Sequence, residues 1–593
     1  MVRGSFTQGR GRERRQPDTV VSRRRVLEGS AALAGSAWVP IGPVTPAERV
    51  AGRAAPPNFP RSIELYRQVY ENWDGAIRTD ELWTCAPRTP DDVVVVVNWA
   101  HTHHYTVRAR GHRHSWSPLT VTSGTTPAAR VVLVDTTRHL SSMRIESSSS
   151  AGGPAAVRVQ TGASMEALLG FCEKHGCGVT AAPAPGSVTV GGVLAIDGHG
   201  SAAPARGETR MPGHSYGSMS NLVTSLTAVV WDQAAGRYVE RAFGRGDPEC
   251  KAFLTHLGRA FLTEVTLRVG ADYNLRCVNH VDIPASELFA PPGSSTSRTL
   301  SDLVDSAGRV VVVWFAFTSH PWIQVWSVAP HRPLTSRPVS SPYNYPFTDN
   351  LPEPITDLSA GIVTGVPALG PTYGQLQYTA TVAGLTATVA TDMWGPSKNL
   401  LLYVKPTTMR VAAGSYAVHT SRGSLQRVVS EFAAFYQNLL EECRARGQFP
   451  INGGVDVRVT GLDHPGDVDV PHAEPPALSA VRPREDHPEW DTAVWLDVLT
   501  FPNTPGSHAF YRKLEEFFHR NYTGSYATCR VEWSKRWAHT HKGAWLDRTV
   551  LTERVPNSFR QGPDPTWDWA VSTLNAYDPH RVFSNPFLDT LLR

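Results

Sequence analysis

Apolar and polar positions alternate with a period of two in two short segments of the first half of the chain, residues 157–161 and 265–269. This period is typical of half-buried strands. Between them, Ser164 is placed to cap a helix that continues to residue 175 and stops at Gly176. This mixture of strands and helices predicts an α/β or α+β fold.

A second helix is predicted after Thr89. Thr89 is a good N-cap residue, Pro90 suits the first helical position, and acidic residues follow in the first turn. The valine run at residues 93–97 prefers a strand instead, so capping and propensity conflict. We expect the cap to prevail, because the run continues to Ala100 before a separate alternating strand at residues 105–110.

From about residue 275 onward, aromatic and β-branched residues become frequent. Residues 310–318 and 322–326 predict strands of a sheet that faces an apolar pocket. Apolar positions at helical spacing predict one helix opened by Ser424 and another after Gly506. No internal repeat with a period of about 20–50 residues is present, so solenoids and propellers are disfavoured.

Length and composition limit the class of protein. A chain of 593 residues exceeds the roughly 250–300 residues of one core, so at least two domains are expected. Hydrophobic residues make up 41% and charged residues 19%, which excludes disorder for most of the chain. The net charge is +4, and residues 1–28 alone hold eight arginines against three acidic residues. The rest is nearly neutral, so no nucleic-acid partner is predicted.

The arginine-rich start has the layout of a twin-arginine export signal. Residues 23–25 are arginines, and a weakly apolar stretch of small residues follows at 29–39. That stretch is too short to span a bilayer, and no other segment reaches the roughly 18 apolar residues of a membrane helix. We expect residues 1–56 to be an export signal and linker, and the mature protein to be secreted or periplasmic. A plain basic tail is the alternative.

Cysteine and histidine spacing gives no metal site. The seven cysteines form no C-x-x-C pair and are interpreted as small buried apolar residues, although one disulfide after export is left open. His101, His103 and His104 are spaced i, i+2, i+3 and do not share one helix face. We predict no metal and assign these histidines to the solvated end of a helix.

The common nucleotide fingerprints are missing. Neither G-x-G-x-x-G after a strand nor the P-loop pattern occurs, which disfavours Rossmann dehydrogenases and P-loop enzymes. Residues 213–217 match the G-x-S-x-G of α/β-hydrolases, with Ser215 at the nucleophile position. The apolar strand that such an elbow requires does not precede it, so a turn with polar caps is the preferred interpretation.

The loop at residues 110–118 is a more specific signal. It follows a strand, holds a glycine for close backbone approach, and collects basic side chains where N–H groups of a turn can also face phosphate. This segment resembles the vanillyl-alcohol-oxidase family of flavoproteins, in which such a loop cradles the FAD pyrophosphate. The resemblance implies FAD contacts from Arg110, Gly111, His112, Arg113, His114 and Ser115.

The resemblance extends over residues 57–593 and narrows to the covalent-flavin, second-class cholesterol oxidases. Its more specific segments lie at residues 342–345, 350–356 and 394–398. It implies that His114 is bonded to the flavin. The further FAD contacts that it implies are Gly186, Ser187, Gly191, Gly192, Gly198, His199, Gly200, Tyr216, Gly217, Asn221 and Asn585.

The resemblance also implies a fold of the α+β class. It combines a two-subdomain FAD-binding domain, of the PCMH and vanillyl-alcohol-oxidase type, with a substrate cap that contains a large antiparallel sheet flanked by helices. The expected boundaries are 57–275 for the FAD domain and 276–554 for the cap. Residues 555–593 are expected to return to the FAD domain.

Asp456 and Arg458 are the catalytic pair that the resemblance implies. Removing a hydride from a carbinol carbon requires the hydroxyl proton to leave, so a carboxylate such as Asp456 can act as the base. Arg458 can then stabilise the developing negative charge. Glu532 and Lys535 match a second family pair. For both pairs, a purely structural ion pair is the alternative.

Three positions depart from the family pattern. Family members carry glutamate at position 456, glutamate in place of Ser319 and asparagine in place of Asp497. The change at Ser319 leaves sterol isomerisation without its expected acid, because moving a double bond needs an acid–base group. Asp456, Asp497 or His320 are the candidates to replace it. Alcohol oxidation itself is expected to survive.

We therefore predict an FAD-dependent oxidase of the 3β-hydroxyl of a sterol, with O2 as the final acceptor and hydrogen peroxide as a product. An oxidase of another bulky alcohol and a non-catalytic, secreted sterol-binding flavoprotein are the alternatives. No stable membrane insertion is expected, and at most transient contact with a membrane surface.

Overall fold

The structure is a computed structural model that describes residues 55–148, 153–349 and 353–593. Nearly all of the predicted export segment and linker, residues 1–56, lies outside these ranges, as do residues 350–352 of the family-like segment 350–356. All contacts reported below lie within one compact unit, Pro43–Arg593.

The first sheet has four strands: β1 (Glu64–Glu71), β2 (Arg78–Ala86), β3 (Thr106–Arg110) and β4 (Val131–Asp135). Their order is β1-β2-β4-β3, with β1 antiparallel to β2 and β4 parallel to both β2 and β3. Parallel strands need a crossover connection. The helix α1 (Pro90–His103) supplies it between β2 and β3.

Helix α1 resolves the conflict between capping and propensity in favour of capping. Thr89 and Asp92 form a reciprocal capping box, each accepting a backbone N–H of the other. Val93, Val96 and Val97 are buried on one face of the helix, where their branched side chains fill the core under the first sheet. The helix predicted after Thr89 is confirmed.

The second sheet is antiparallel and has the order β5-β6-β10-β8-β9, with β7 paired at the end of β10. The two strands predicted from alternation are confirmed and are direct partners, since Val159 lies opposite Val265. Ser164 caps the following helix by accepting the N–H of Ala167, as predicted. The elements are β5 (Met143–Ser148), β6 (Ala155–Gln160), α2 (Met165–Lys174), β7 (Cys177–Gly178), α3 (Val190–Ala195), β8 (Val223–Asp232), β9 (Arg237–Gly244), α4 (Cys250–Leu254) and β10 (Phe261–Ala271).

The third sheet confirms the large antiparallel sheet predicted for the cap. Its described strands have the order β14-β15-β11-β13-β12-β17-β18-β16-β19, and only the short β14 pairs in parallel, with β15. The strand predicted at residues 310–318 ends earlier, at Phe315, because the chain turns at Phe317 with a φ of 63°. The strands are β11 (Asn274–His280), β12 (Arg309–Phe315), β13 (Trp322–Val328), β14 (Arg337–Pro338), β15 (Asp392–Pro396), β16 (Ala412–Thr420), β17 (Gly454–Thr460), β18 (Thr492–Thr500) and β19 (Ala527–Val531).

Helices flank the third sheet and end the chain. The two longest predicted helices are confirmed as α11 and α12, and they pack on each other through stacked rings of Phe435 and Phe517, 4.2 Å apart. The helices are α5 (Ala285–Leu288), α6 (Leu300–Ala307), α7 (Pro346–Asp349), α8 (Glu353–Val363), α9 (Gly370–Ala387), α10 (Ser397–Leu401), α11 (Leu425–Ala445), α12 (Ser507–Asn521), α13 (Val555–Phe559), α14 (Trp567–Tyr577) and α15 (Pro586–Leu591).

The two faces of the third sheet have different chemistry, and β17 shows why. Successive side chains of a strand point to opposite faces. Val455, Val457 and Val459 are fully buried in the core that the sheet shares with α11 and α12. Asp456 and Arg458 therefore project from the other face, where the sheet meets the first half of the chain.

The described ranges contain all seven cysteines, and each is buried and unpaired. No helix in this part of the chain is both long and apolar enough to cross a bilayer. No group of three or more His, Cys, Asp or Glu side chains among these residues is arranged to hold a metal ion.

The C-terminal segment is fastened to the first half of the chain by Asp578. Its carboxylate accepts hydrogen bonds from Arg259 Nη1 at 2.7 Å and from the Tyr238 hydroxyl at 2.6 Å. The backbone N–H groups of Val582 and Phe583 donate to the same carboxylate. Arg259 and Asp578 are both almost completely buried, so each depends on the other for its counter-charge.

Replacing Asp578 should destabilise the whole protein. Asp578→Asn leaves the Arg259 guanidinium buried without a counter-charge, so we expect the free energy of unfolding to fall by about 3–5 kcal/mol. The control is Asp568→Asn, which breaks an exposed pair with Arg560 in the same segment and should cost less than about 1 kcal/mol. Thermal melting of both variants checks this, and equal melting temperatures would contradict it.

Candidate active site

The best-formed cavity among the described residues has a volume of about 520 Å³, within the usual range for small-molecule sites. One wall comes from the first half of the chain, chiefly the loop at 111–116 and the stretch at 182–201. The opposite wall is the charged face of the third sheet, together with nearby helices. Its aromatic lining includes Phe315, Trp322, Trp326, Tyr345 and Phe501.

The predicted flavin loop holds His114 at this cavity as a neutral imidazole. The ring lies against Trp73, with centroids 4.0 Å apart. Burial, with a smaller contribution from the Lys535 charge, lowers the pKa of His114 to about 3. The Asn72 side-chain amide donates to the carbonyls of Ser115 and Trp116, which fixes the loop that carries the ring. An unprotonated ring nitrogen is what bond formation to a flavin requires.

The same loop docks on the segment that carries Glu532 and Lys535. The N–H groups of Trp116 and Ser117 both donate to the carbonyl of Ser534, at 2.9 and 3.2 Å. The Lys535 ammonium lies 4.6 Å from the centre of the Trp116 ring. The structure therefore brings the predicted flavin loop and the second predicted acid–base pair to one place.

Glycines in the wall that comes from the first half of the chain allow its backbone segments to pack close to one another and to a ligand. A Cβ on Gly111 would collide with the Thr189 hydroxyl, which caps α3 by accepting the N–H of Gly192. A Cβ on Gly200 would lie 2.7 Å from the backbone of Ala182. Gly191, Gly192 and Gly198 also line the cavity. Such a wall suits a large, flat ligand held by backbone groups.

One buried polar atom in this wall has no protein partner. The guanidinium Nε of Arg113 is buried without a hydrogen bond among the described residues, and Arg113 lines the cavity. Arg113 also has a φ of 61°, which directs the loop around it. A donor of this kind suits a phosphate group. The glycine wall, the neutral His114 and this free donor together fit FAD.

Asp456, Arg458 and Asp497 form one charged cluster on the cavity face of β17 and β18. Asp456 and Asp497 are direct cross-strand neighbours. Arg458 donates from Nη2 to Asp456 at 2.7 Å and from Nη1 to Asp497 at 2.5 Å. Burial raises the pKa of Asp456, against the pull of Arg458. The result is a carboxylate at the cavity that is more basic than an exposed one.

Asp497 lies behind this pair and does not itself line the cavity of the described residues. It accepts from Lys535 Nζ at 3.0 Å and from the Ser415 hydroxyl. Burial alone would raise the pKa of Asp497, but the charges of Lys535 and Arg458 hold it far below its usual range. Asp497 is therefore ionised at every working pH.

Glu532 and His199 complete the cluster. Glu532 Oε1 lies 3.5 Å from Lys535 Nζ and 3.9 Å from His199 Nε2. Burial raises the pKa of Glu532 to about 7, and the Asp497 carboxylate adds to the effect. His199 stacks on Trp495 with centroids 3.6 Å apart, and burial lowers its pKa to about 3. A neutral histidine therefore faces a carboxyl group that titrates near neutrality.

Seven of the predicted FAD contacts do not line the cavity formed by the described residues: Arg110, Gly186, Ser187, Tyr216, Gly217, Asn221 and Asn585. Arg110 instead forms a 2.5 Å ion pair with Asp135, which keeps its guanidinium within the first sheet. The Asn585 amide donates to the carbonyls of residues 118–120. These two residues support the loop around His114 from outside the cavity.

The segment at residues 216–221 supports the other side of the site. The Asn221 amide donates to the carbonyl of His464 at 2.8 Å, and Gly217 leaves room for the Asp463 carboxylate. Residues 463 and 464 belong to the turn that follows β17, so this segment fixes the end of the strand that carries Arg458. The resemblance identified these residues, but the structure gives them contacts to protein.

Ser215 and His320 also lie away from the cavity. The Ser215 hydroxyl donates to Asp467 at 2.8 Å within a polar turn, which agrees with the preferred interpretation and disfavours the hydrolase alternative. His320 is paired with its neighbour Ser319, at 2.9 Å between Nδ1 and Oγ. Neither lines the cavity of the described residues, so His320 is poorly placed to replace the missing family glutamate.

Sequence reasoning missed three residues that shape the site: Trp73, Thr189 and Ser415. Ser415 is on β16 directly opposite Asp497, and its position is set by strand register. Trp73 reaches His114 only through the fold of the first sheet. Only Thr189 had a sequence signal, since a threonine before an apolar run is a capping pattern.

Comparison with known proteins identifies both halves of this site. Residues 83–233 match the family model of an FAD binding domain, and residues 274–593 match that of the substrate-binding domain of cholesterol oxidase. Among curated proteins, none matches the chain.

Solved structures similar to the chain include cholesterol oxidases. A solvent-stable cholesterol oxidase is 52% identical, with a TM-score of 0.89 over 91% of this chain and 100% of its own. The cholesterol oxidase of Brevibacterium sterolicum is 44% identical, with a TM-score of 0.88 over 91% of this chain and 99% of its own. A histidine-to-alanine mutant of that enzyme gives the same values.

Gly111→Ala should reduce flavin binding. The added methyl group collides with Thr189, and overpacking of this kind costs about 1–3 kcal/mol. The control is Gly170→Ala on α2, where an added Cβ meets nothing within 4 Å. The ratio of flavin to protein absorbance in the purified proteins checks this. A ratio in Gly111→Ala equal to that of the control would contradict it.

Proposed function

This chain belongs to the cholesterol oxidase family, and we propose that it is an FAD-dependent oxidase of the 3β-hydroxyl group of sterols. The observation that carries the proposal is the Asp456–Arg458 pair at a cavity whose other surfaces are aromatic and glycine-rich. The aromatic surfaces suit the rigid, apolar body of a sterol. The charged pair suits the one polar group that a sterol carries.

In the proposed reaction Asp456 accepts the proton of the substrate hydroxyl. Its carboxylate is held by Arg458 Nη2, and burial makes it more basic than an exposed aspartate. Arg458 keeps its charge beside Asp456 and Asp497 and stabilises the negative charge that develops as the proton leaves. The surrounding aromatic side chains exclude water from the reacting carbon.

FAD would lie against the loop at 111–115 and the glycines at 191, 192, 198 and 200. When bound, it supplies the acceptor for the hydride that leaves the carbinol carbon. We propose a covalent bond to it from His114, on the basis of the neutral, half-buried imidazole at the cavity. We also propose O2 as the final electron acceptor, hydrogen peroxide as a product, and export through the arginine-rich start of the chain.

Asp456→Asn should lose turnover but keep sterol binding. Removing a general base costs about 10²–10⁴-fold in kcat. The control is Asp392→Asn, the same change in an Asp–Arg pair of the same sheet, where Arg276 donates at 2.8 and 2.9 Å away from the cavity. Peroxide release with cholesterol checks this. Unchanged turnover would remove Asp456 from the mechanism, and sterol binding without turnover in the parent would favour a binding protein.

His114→Ala should release the flavin. We expect the yellow colour of the parent to stay with the protein pellet after acid precipitation, because a covalent bond survives unfolding. The flavin of His114→Ala should move to the supernatant. His112→Ala is the matched control, since His112 is the other histidine of the same loop. Colour in the supernatant of the parent would contradict the covalent bond without excluding FAD.

A further inference from the structure

Asp497 holds both cations of the charged cluster. Its Oδ2 accepts from Arg458 Nη1 at 2.5 Å and from Lys535 Nζ at 3.0 Å, while the Ser415 hydroxyl donates to Oδ1. Only 1% of the Asp497 side chain is exposed. No oxygen of Asp497 lacks a donor, so this carboxylate is the best satisfied of the cluster.

Among the three carboxyl groups, Glu532 alone has a buried oxygen that lacks a donor in the described part of the chain. Oε1 accepts from the Ser534 hydroxyl at 3.1 Å and lies 3.5 Å from Lys535 Nζ. Oε2 is buried without a hydrogen bond among the described residues, and Glu532 lines the cavity. A buried ionised oxygen without a donor is costly, whereas a protonated one needs only an acceptor.

The charge balance of the cluster also indicates that one of the carboxyl groups is protonated. Asp456, Asp497 and Glu532 face two cations, Arg458 and Lys535, so full ionisation leaves one uncompensated negative charge in a buried site. One proton retained among the three carboxyl groups removes it. Asp497 has donors on both oxygens and Asp456 has an arginine, so Glu532 is the group that keeps the proton.

No other element supplies a cation to Glu532. The loop after α3 contributes His199, whose Nδ1 lies 2.9 Å from the carbonyl of Gly200 and whose burial keeps the ring neutral. The loop at 111–116 contributes His114, also neutral, and Trp116, which lies over Lys535. The loop after α3 also contributes Asp197, which accepts the N–H of Ala480 and whose pKa burial raises well above its usual value. The cations around Glu532 are therefore those of the cluster itself.

We propose that Asp497 is a positioning residue, which takes Arg458 and Lys535 as its own partners and leaves Glu532 as a protonated acid at the cavity. Without a ligand, the Asp497 carboxylate is the hydrogen-bond partner of this acid, and a bound ligand oxygen would take its place. The ligand it would meet is the oxygen of the bound sterol, and this part of the proposal rests on the proposed function. The raised pKa of Glu532, about 7 from burial and the Asp497 charge, agrees with the geometry.

The family resemblance places asparagine where this chain has Asp497. With an amide there, the cluster holds two cations and two carboxyl groups, and the Lys535 ammonium is free to pair with Glu532. Glu532 should then ionise at lower pH.

The test is infrared difference spectroscopy of the flavin-loaded protein between about pH 5 and about pH 9, which spans the expected midpoint near neutrality. A protonated carboxyl group gives a carbonyl stretch that is lost on ionisation. We expect a band with a midpoint near pH 7 that Glu532→Gln removes, alongside a band from Glu515, whose burial also raises its pKa to about 7 and which Glu532→Gln leaves in place. In Asp497→Asn the midpoint should fall by about one pH unit or more, because a neighbouring negative charge is gone.

Ser415→Ala is the matched control. It removes the hydroxyl that donates to Asp497 but changes no charge, so it should shift the midpoint less than Asp497→Asn does. Visible flavin absorbance and thermal melting show whether each variant is folded and loaded. Unchanged carbonyl intensity in Glu532→Gln, or a midpoint of the Glu532 band that Asp497→Asn does not lower, would overturn the proposal.

A second measurement separates this inference from the proposed function. The affinity for cholest-4-en-3-one, whose ketone accepts a hydrogen bond, should weaken several-fold above the midpoint in the parent but show no such pH dependence in Glu532→Gln. If the Glu532 band titrates but cholesterol is not oxidised, the protonated Glu532 is supported and the proposed sterol function is rejected. If cholesterol is oxidised but the band does not titrate, the sterol function is supported and the protonated Glu532 is rejected.

Discussion

A half-buried and a buried aspartate face each other on adjacent central strands, and the site depends on the cation between them. Asp456 and Asp497 are direct cross-strand neighbours of β17 and β18. Like charges in this position repel, so the register of the two strands is favourable only with a bridging cation. Arg458 provides it by donating one nitrogen to each carboxylate. The same arginine therefore stabilises the pairing of the two strands and balances the negative charges of the site.

The stability of this sheet comes from its other face. Val455, Val457 and Val459 bury their side chains against helices α11 and α12 while the charged residues of the same strand face the cavity. Buried ion pairs rarely add net stability, since desolvation offsets their attraction. Strand alternation thus allows one strand to carry both a core and a charged site, and the charges are explained by chemistry at the cavity.

Sequence alone was sufficient where local pattern decides structure. The capping box at Thr89 outweighed a strand-preferring valine run, and the alternation at Asp456 and Arg458 placed both on one face of a strand. It was insufficient where distant segments meet. Ser415 reaches Asp497 through strand register, and helix α9, with its glycines and threonines, has no apolar stripe that would predict it.

The resemblance located the site more reliably than it assigned the task of each residue. His114 and Asn585 were both expected at the flavin, yet only His114 lines the cavity, whereas Asn585 holds the carbonyls of residues 118–120 more than 460 positions away in sequence. A matched motif does not distinguish a ligand contact from a support of that contact, because mutation of either would disturb the same cavity. The hydrogen-bond partners make the distinction. They show that the C-terminal segment supports the loop that carries His114 from outside the cavity, because Asn585 holds the carbonyls of residues 118–120 next to that loop.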